Sequence, residues 1–109
     1  MYIRNIPHQE VLSLAAQVEA GPAQITSKTL AQNAAISLTV FAFAKGTEIG
    51  THQSTGDAMV LVLEGTGQFT IEGKEYRCQA GESLVMPARK DHAVFAPEAF
   101  KMLLTVVFP

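Results

Sequence analysis

The sequence predicts an all-β domain, a barrel or sandwich of about eight short strands. Three observations carry this. From Gln24 onward the chain is a succession of short runs rich in Ile, Val, Phe, Leu and Thr, each bounded by Gly, Asn, Asp or Pro. No helical segment long enough to return the chain between parallel strands interrupts them. The single stretch with helical periodicity lies ahead of the first run, where it cannot connect strands.

That first stretch, EVLSLAAQVE, places Val11, Leu14, Ala15 and Val18 at spacings of three and four. This predicts a short amphipathic helix over about residues 10–19, stopped by Gly21-Pro22. Strands are then predicted over 24–30, 35–44, 58–64, 67–72, 75–79, 83–86, 92–96 and 99–108. Glu72-Gly73-Lys74 joins two of them through a tight turn in which Gly73 can take a positive φ, and Gly65 gives an earlier bend the same freedom. Neighbouring short strands are expected to pair as hairpins. Met59 to Leu63 (MVLVL) and Met102 to Phe108 (MLLTVVF) are apolar at nearly every position, whereas a strand wetted on one side alternates. Both faces of these strands are therefore expected to be covered, one by the barrel interior and one by a partner subunit in a homodimer.

At 109 residues the chain has room for one domain, spanning 1–109. It is 48% hydrophobic and 17% charged, with a formal net charge of -2, and no Lys/Arg cluster suggests a polyanion partner. Nucleic acid is excluded as an expected partner. Cys78 is the only cysteine, so neither an internal disulfide nor a multi-thiolate zinc site can form, and it reads as a buried small hydrophobe. No signal-peptide pattern opens the chain and no run of apolar residues is long enough for a membrane span. A cytoplasmic protein with no membrane partner is expected.

Two segments carry the chemistry. The first runs Gly46-Thr-Glu-Ile-Gly-Thr-His52-Gln-Ser54-Thr-Gly-Asp57-Ala58 and on to Gly65. The second is Gly81-Glu-Ser-Leu-Val-Met-Pro87-Ala-Arg89-Lys-Asp-His92-Ala-Val-Phe-Ala96. Together they resemble the two sequence motifs of the cupin superfamily. The resemblance implies a double-stranded β-helix, or jelly-roll, barrel over about residues 24–108, preceded by the short helix. It also implies a pocket inside the barrel, in which metal-binding cupins gather two His and a Glu from the first motif and one His from the second.

His52 and His92 match the first and last of those ligands. Ser54 stands where the second His would be and Ala58 where the Glu would be; Arg89 replaces a Gly and Ala96 an Asn. Two imidazoles can bind a divalent ion such as Ni, Zn, Mn or Fe, but zinc sites use three or four protein ligands and iron oxygenase sites use two His and a carboxylate. Asp57 is the candidate for the missing carboxylate, provided Gly56 lets the backbone bulge. Simple alternation from His52 turns Asp57 away, leaving it to cap the Thr55-Gly56 turn.

Alternation from His92 points Val94 and Ala96 inward, with Met102, Leu104 and Val106 as a companion wall, and Ser54 and Ala58 share the face of His52. These make an apolar ligand pocket. Phe41, Phe43 and Phe69 either narrow it or belong to the plain core. Lys28, Arg89 and Lys90 are candidates for pairing with a ligand carboxylate at the mouth. His8 is expected at the surface. Two functions follow. One is a metal-assisted isomerase, lyase or dioxygenase acting on a small acid or sugar derivative, as the resemblance implies. The other is a metal-free sensor or carrier module without catalysis, in which the barrel holds a small apolar or aromatic acid and the histidines donate hydrogen bonds to it.

Overall fold

A computed structural model describes residues 2–109, and among them nine strands form two facing antiparallel sheets. In chain order the strands are β1 (Ile25–Gln32), β2 (Ile36–Phe43), β3 (Glu48–His52), β4 (Asp57–Glu64), β5 (Thr66–Ile71), β6 (Lys74–Gln79), β7 (Ser83–Met86), β8 (His92–Phe95) and β9 (Phe100–Val107). One sheet has the order β1-β2-β9-β4-β7 and the other β3-β8-β5-β6. After β2 the chain repeatedly changes sheets, which is the jelly-roll arrangement that the motif resemblance implies. Only β1-β2 and β5-β6 pair with their immediate neighbours as hairpins, so the expectation of consecutive hairpins holds for those two alone. Glu72 (φ 49) and Gly73 (φ 80) are both left-handed, giving β5-β6 a turn whose twist matches that of the strands.

The barrel is packed solid at one end. Phe43 and Phe100, opposite each other on β2 and β9, stack at 4.5 Å, and Phe69 meets Phe100 edge-on at 6.1 Å. A Cβ on Gly67 would come within 2.7 Å of the Phe100 ring, so glycine there lets the ring lie against β5. Phe43 and Phe69 are therefore core residues. Only Phe41 of the three aromatic candidates reaches the cavity described below.

The N-terminal segment departs from its predicted shape. The helical part is a single 3-10 turn, Ala15–Gln17, which opens with the Ala16 amide donating to Ser13 Oγ and closes at the extended Val18. Ten residues are too few for a helix to persist without strong packing. Here the apolar stripe gains more by lying along the sheet as a strap, with Leu14 and Val18 packed on the outer face of β1, β2 and β9 and Val11 left exposed. Lys101, whose side chain is only 12% exposed, fastens the strap by donating to the Ala15 carbonyl (2.7 Å) and to Glu19 (3.0 Å). The outer faces of Leu38, Val40, Leu63 and Leu103 thus pack against the chain itself, so at Leu63 and Leu103 the strap stands where the sequence led to a partner subunit. Met59, Val85 and Val107 remain exposed on the same sheet, at 47%, 50% and 57%. Among the described residues no helix is long and apolar enough to cross a membrane.

Candidate functional site

The unpacked end of the barrel holds a cavity of about 310 Å³. Its walls come from both sheets: Phe41, Ala58, Met86, Met102, Leu104 and Val106 from one, and Ile49, His52, His92 and Val94 from the other, with Gln53 and Ser54 at the rim. Inward positions alternate along β4 (Ala58, Val60, Val62) and β9 (Met102, Leu104, Val106), so the cavity is where this row runs past the last aromatic ring.

Strand register brings the two histidines together. His52 on β3 and His92 on β8 are direct cross-strand partners. Ile49 and His52 both face the cavity although two residues separate them, because the pairing shifts register between these positions. This bulge at Gly50-Thr51 turns the His52 ring inward. The same Gly50 supplies the carbonyl that His52 Nδ1 meets at 2.8 Å, and His92 Nδ1 meets the Lys90 carbonyl at 3.2 Å. The rings stand nearly perpendicular, with Nε2 facing Nε2 at 3.1 Å. His52 is exposed at the mouth, whereas His92 is 3% exposed. Burial pushes the His92 pKa down and the neighbouring His52 adds to this, against the opposing pull of the Lys90 carbonyl and Asp91.

The pair lacks the protons that all three contacts require. A carbonyl oxygen only accepts, so each Nδ1 contact needs a proton on Nδ1, and the Nε2 to Nε2 contact needs a third proton. Two neutral imidazoles bring two. Burial opposes a third proton on His92, so with both rings neutral the pair is one donor short.

Two loops flank the pair and are clamped to each other. The Arg89 amide donates to the Ser54 carbonyl (2.8 Å), Gln53 Nε2 donates to Asp91 (2.8 Å), and the Ala88 amide donates to Asp57 Oδ1 (2.8 Å). Asp57 is thereby corrected as a metal candidate. It is exposed, faces away from the cavity as alternation requires, and spends its carboxylate on the β7-β8 loop instead of on its own turn. Ser54 Oγ accepts from the Gly56 amide at that turn.

The remaining candidates lie elsewhere. Lys28 pairs with Val40 on the outer face of the sheet. Lys90 is exposed and 3.7 Å from Glu72, and Arg89 is exposed with its backbone left-handed (φ 63). Ala96 is buried in the core and does not line the cavity. Cys78 is buried, and burial followed by Glu82 pushes its pKa up, away from a reactive thiolate. His8 is exposed, with Nε2 on the Ile3 carbonyl.

Ile49, Gln53 and Met86 are cavity residues that the motifs do not reveal. Met86 follows from its pairing with Ala58, but Ile49 is hidden by the bulge. A wider hollow of about 360 Å³ lies under the N-terminal strap, where Lys101 bonds to Ala15 and Glu19.

The donor set does not amount to a resident metal site. Among the described residues no three His, Cys, Asp or Glu side chains converge, and Asp57 is committed elsewhere.

A cupin domain family model matches residues 39–108, which covers β3 to β9 and most of β2. No curated protein matches. Among solved structures, a protein of unknown function from Streptococcus pyogenes is 48% identical with a TM-score of 0.97, over 100% of this chain and 96% of that one. A cupin superfamily protein from Desulfitobacterium hafniense is 30% identical with a TM-score of 0.94, over 98% of each chain. A cupin 2 conserved barrel domain protein from Leptotrichia buccalis is 40% identical with a TM-score of 0.86, over 88% of this chain and 47% of that one. The two-sheet jelly roll, the paired motif histidines and the family match agree, and this chain belongs to the cupin family.

Proposed function

We propose that this protein binds a small molecule directly in the barrel cavity, with the His52-His92 pair as its polar anchor and no resident metal. One observation carries the reading: two imidazoles, held by backbone carbonyls and short of a donor, form the polar spot in a cavity walled by Phe41, Met102, Leu104 and Val94. Small-molecule sites combine an apolar lining with a few placed polar groups in this way, and about 310 Å³ is at the low end of their range. A compact ligand of roughly ten non-hydrogen atoms fits. A divalent ion, the alternative that cupin membership brings to mind, would find only His52 and His92 as protein ligands.

The test is calorimetry on metal-stripped protein, first with Ni, Zn, Mn and Fe(II), then with a panel of small aromatic and branched aliphatic compounds. Direct binding of a panel member, abolished by Leu104→Trp, which fills the cavity from an already half-buried position, is the expected result. Tight stoichiometric metal binding that His52→Ala removes, with panel members binding only after metal is added, would contradict it.

Two further features belong to the same reading. Met59, Val85 and Val107 form the apolar remainder of the outer sheet face and support a homodimer. Cys78, unpaired and buried, suits a reducing compartment such as the cytoplasm.

A further inference from the structure

The donor shortage in the histidine pair restricts what the ligand can be. His52 Nδ1 is held at 2.8 Å by the Gly50 carbonyl and His92 Nδ1 at 3.2 Å by the Lys90 carbonyl. With a proton on each Nδ1, both Nε2 atoms present lone pairs, and these face each other at 3.1 Å. A third proton on the buried His92 ring would place a net charge in the wall of a largely apolar cavity, which desolvation opposes, so with both rings neutral the shortage stands. A bare carboxylate makes matters worse, because it brings only acceptors to a place that already has too many. A ligand with hydroxyl groups resolves the conflict: each O–H donates to one Nε2, both Nδ1 bonds are kept, and all four contacts are satisfied. Adjacent hydroxyls are required because the two nitrogens lie side by side. The cavity is also a slot between two sheets, with Phe41 and Leu104 on one side and Ile49 and Val94 on the other, which suits a flat apolar body.

We propose that the pocket takes a small planar ring bearing two adjacent hydroxyl groups, which donate to Nε2 of His52 and of His92 and replace the direct contact between the rings. This rests on the reading that the cavity binds a small molecule directly. His52 stands exposed at the mouth, where the ligand enters; His92, buried between β3 and β5, forms the inner part of the anchor. Ser54 at the rim already accepts from the Gly56 amide, so its hydroxyl proton remains free to donate to a ligand oxygen.

The experiment compares catechol, its dimethyl ether and benzoate by calorimetry on the metal-stripped full chain near pH 7.5. Catechol is expected to bind at least about tenfold tighter than either analogue, as sites built around buried hydrogen-bond partners discriminate strongly. His52→Phe, at an exposed position where folding is not at stake, is expected to bring that ratio toward one. Equal or tighter binding of benzoate or the ether overturns the hydroxyl assignment while leaving a ligand-binding cavity intact, and so does an undiminished preference in His52→Phe. Failure of all three probes to bind also overturns it, and failure of the wider compound panel as well removes the cavity reading beneath it.

Discussion

His52 and His92 share one contact but not one environment, and the difference sets what each substitution does. His92 is buried and bonded to the Lys90 carbonyl; replacing it with Ala leaves that carbonyl and a void behind, for an expected loss of roughly 1–3 kcal/mol. His52 is exposed, so His52→Ala is expected to change stability by less than about 0.5 kcal/mol. Urea denaturation of the two variants checks this asymmetry. A pH dependence follows from the same burial. His92 is held below its ordinary value of 6.5, so between the lowered value and 6.5 the unfolded chain binds more protons than the folded one. Stability contributed by the neutral buried ring is therefore present above that window and is lost as pH falls through it. Thermal melts should show the midpoint rising with pH across this interval, with a shallower rise in His92→Gln.

At the scale of elements, the site depends on a bulge and on two clamped loops. The β3 bulge re-aims His52, and the bonds from Gln53 to Asp91, Ser54 to Arg89 and Asp57 to Ala88 hold the segments on either side of the pair. Asp57→Ala frees the Ala88 amide and is expected to cost about 1 kcal/mol, with ligand affinity falling severalfold as the β7-β8 loop loosens. A chemical melt and a binding isotherm on the variant measure both.

The sequence motifs show which residues share the site, but not this scaffolding. β3 is unmarked in the pattern because Glu48-Ile-Gly-Thr-His52 has one aliphatic residue and a bulge that breaks the period of two. In the N-terminal strap an apolar spacing of three and four predicts a helix, but the same spacing also suits an irregular segment laid across a sheet. Nothing local marks Lys101 as its anchor, since Ala15 and Glu19 lie more than eighty positions away in sequence. The inward row of β9 is legible because strict alternation survives there, and with it Met102 and Leu104, while Ala58 is legible from sharing the face of His52.

For the whole molecule, the two ends of the barrel divide the work. The aromatic end, with Phe43, Phe69 and Phe100 stacked and edge-on, anchors the sheets, while the open end gives up packing to make a cavity. Apolar richness in MVLVL and MLLTVVF has three destinations: the interior, the strap, and the exposed patch that Met59 and Val107 form with Val85 of β7. Composition alone cannot separate strap from partner, because both bury the same kind of surface. If the patch is an interface, light scattering gives a dimer and Val85→Glu shifts it to monomer without lowering the melting midpoint of the barrel by more than a few degrees.

The central claim, that the histidine pair meets the ligand directly, is tested most directly by long-range proton-nitrogen NMR of the histidine rings in metal-stripped protein. On adding a bound ligand, both Nε2 resonances should move while both Nδ1 nitrogens remain protonated. Ring signals that stay unchanged until a divalent metal is supplied would contradict the account.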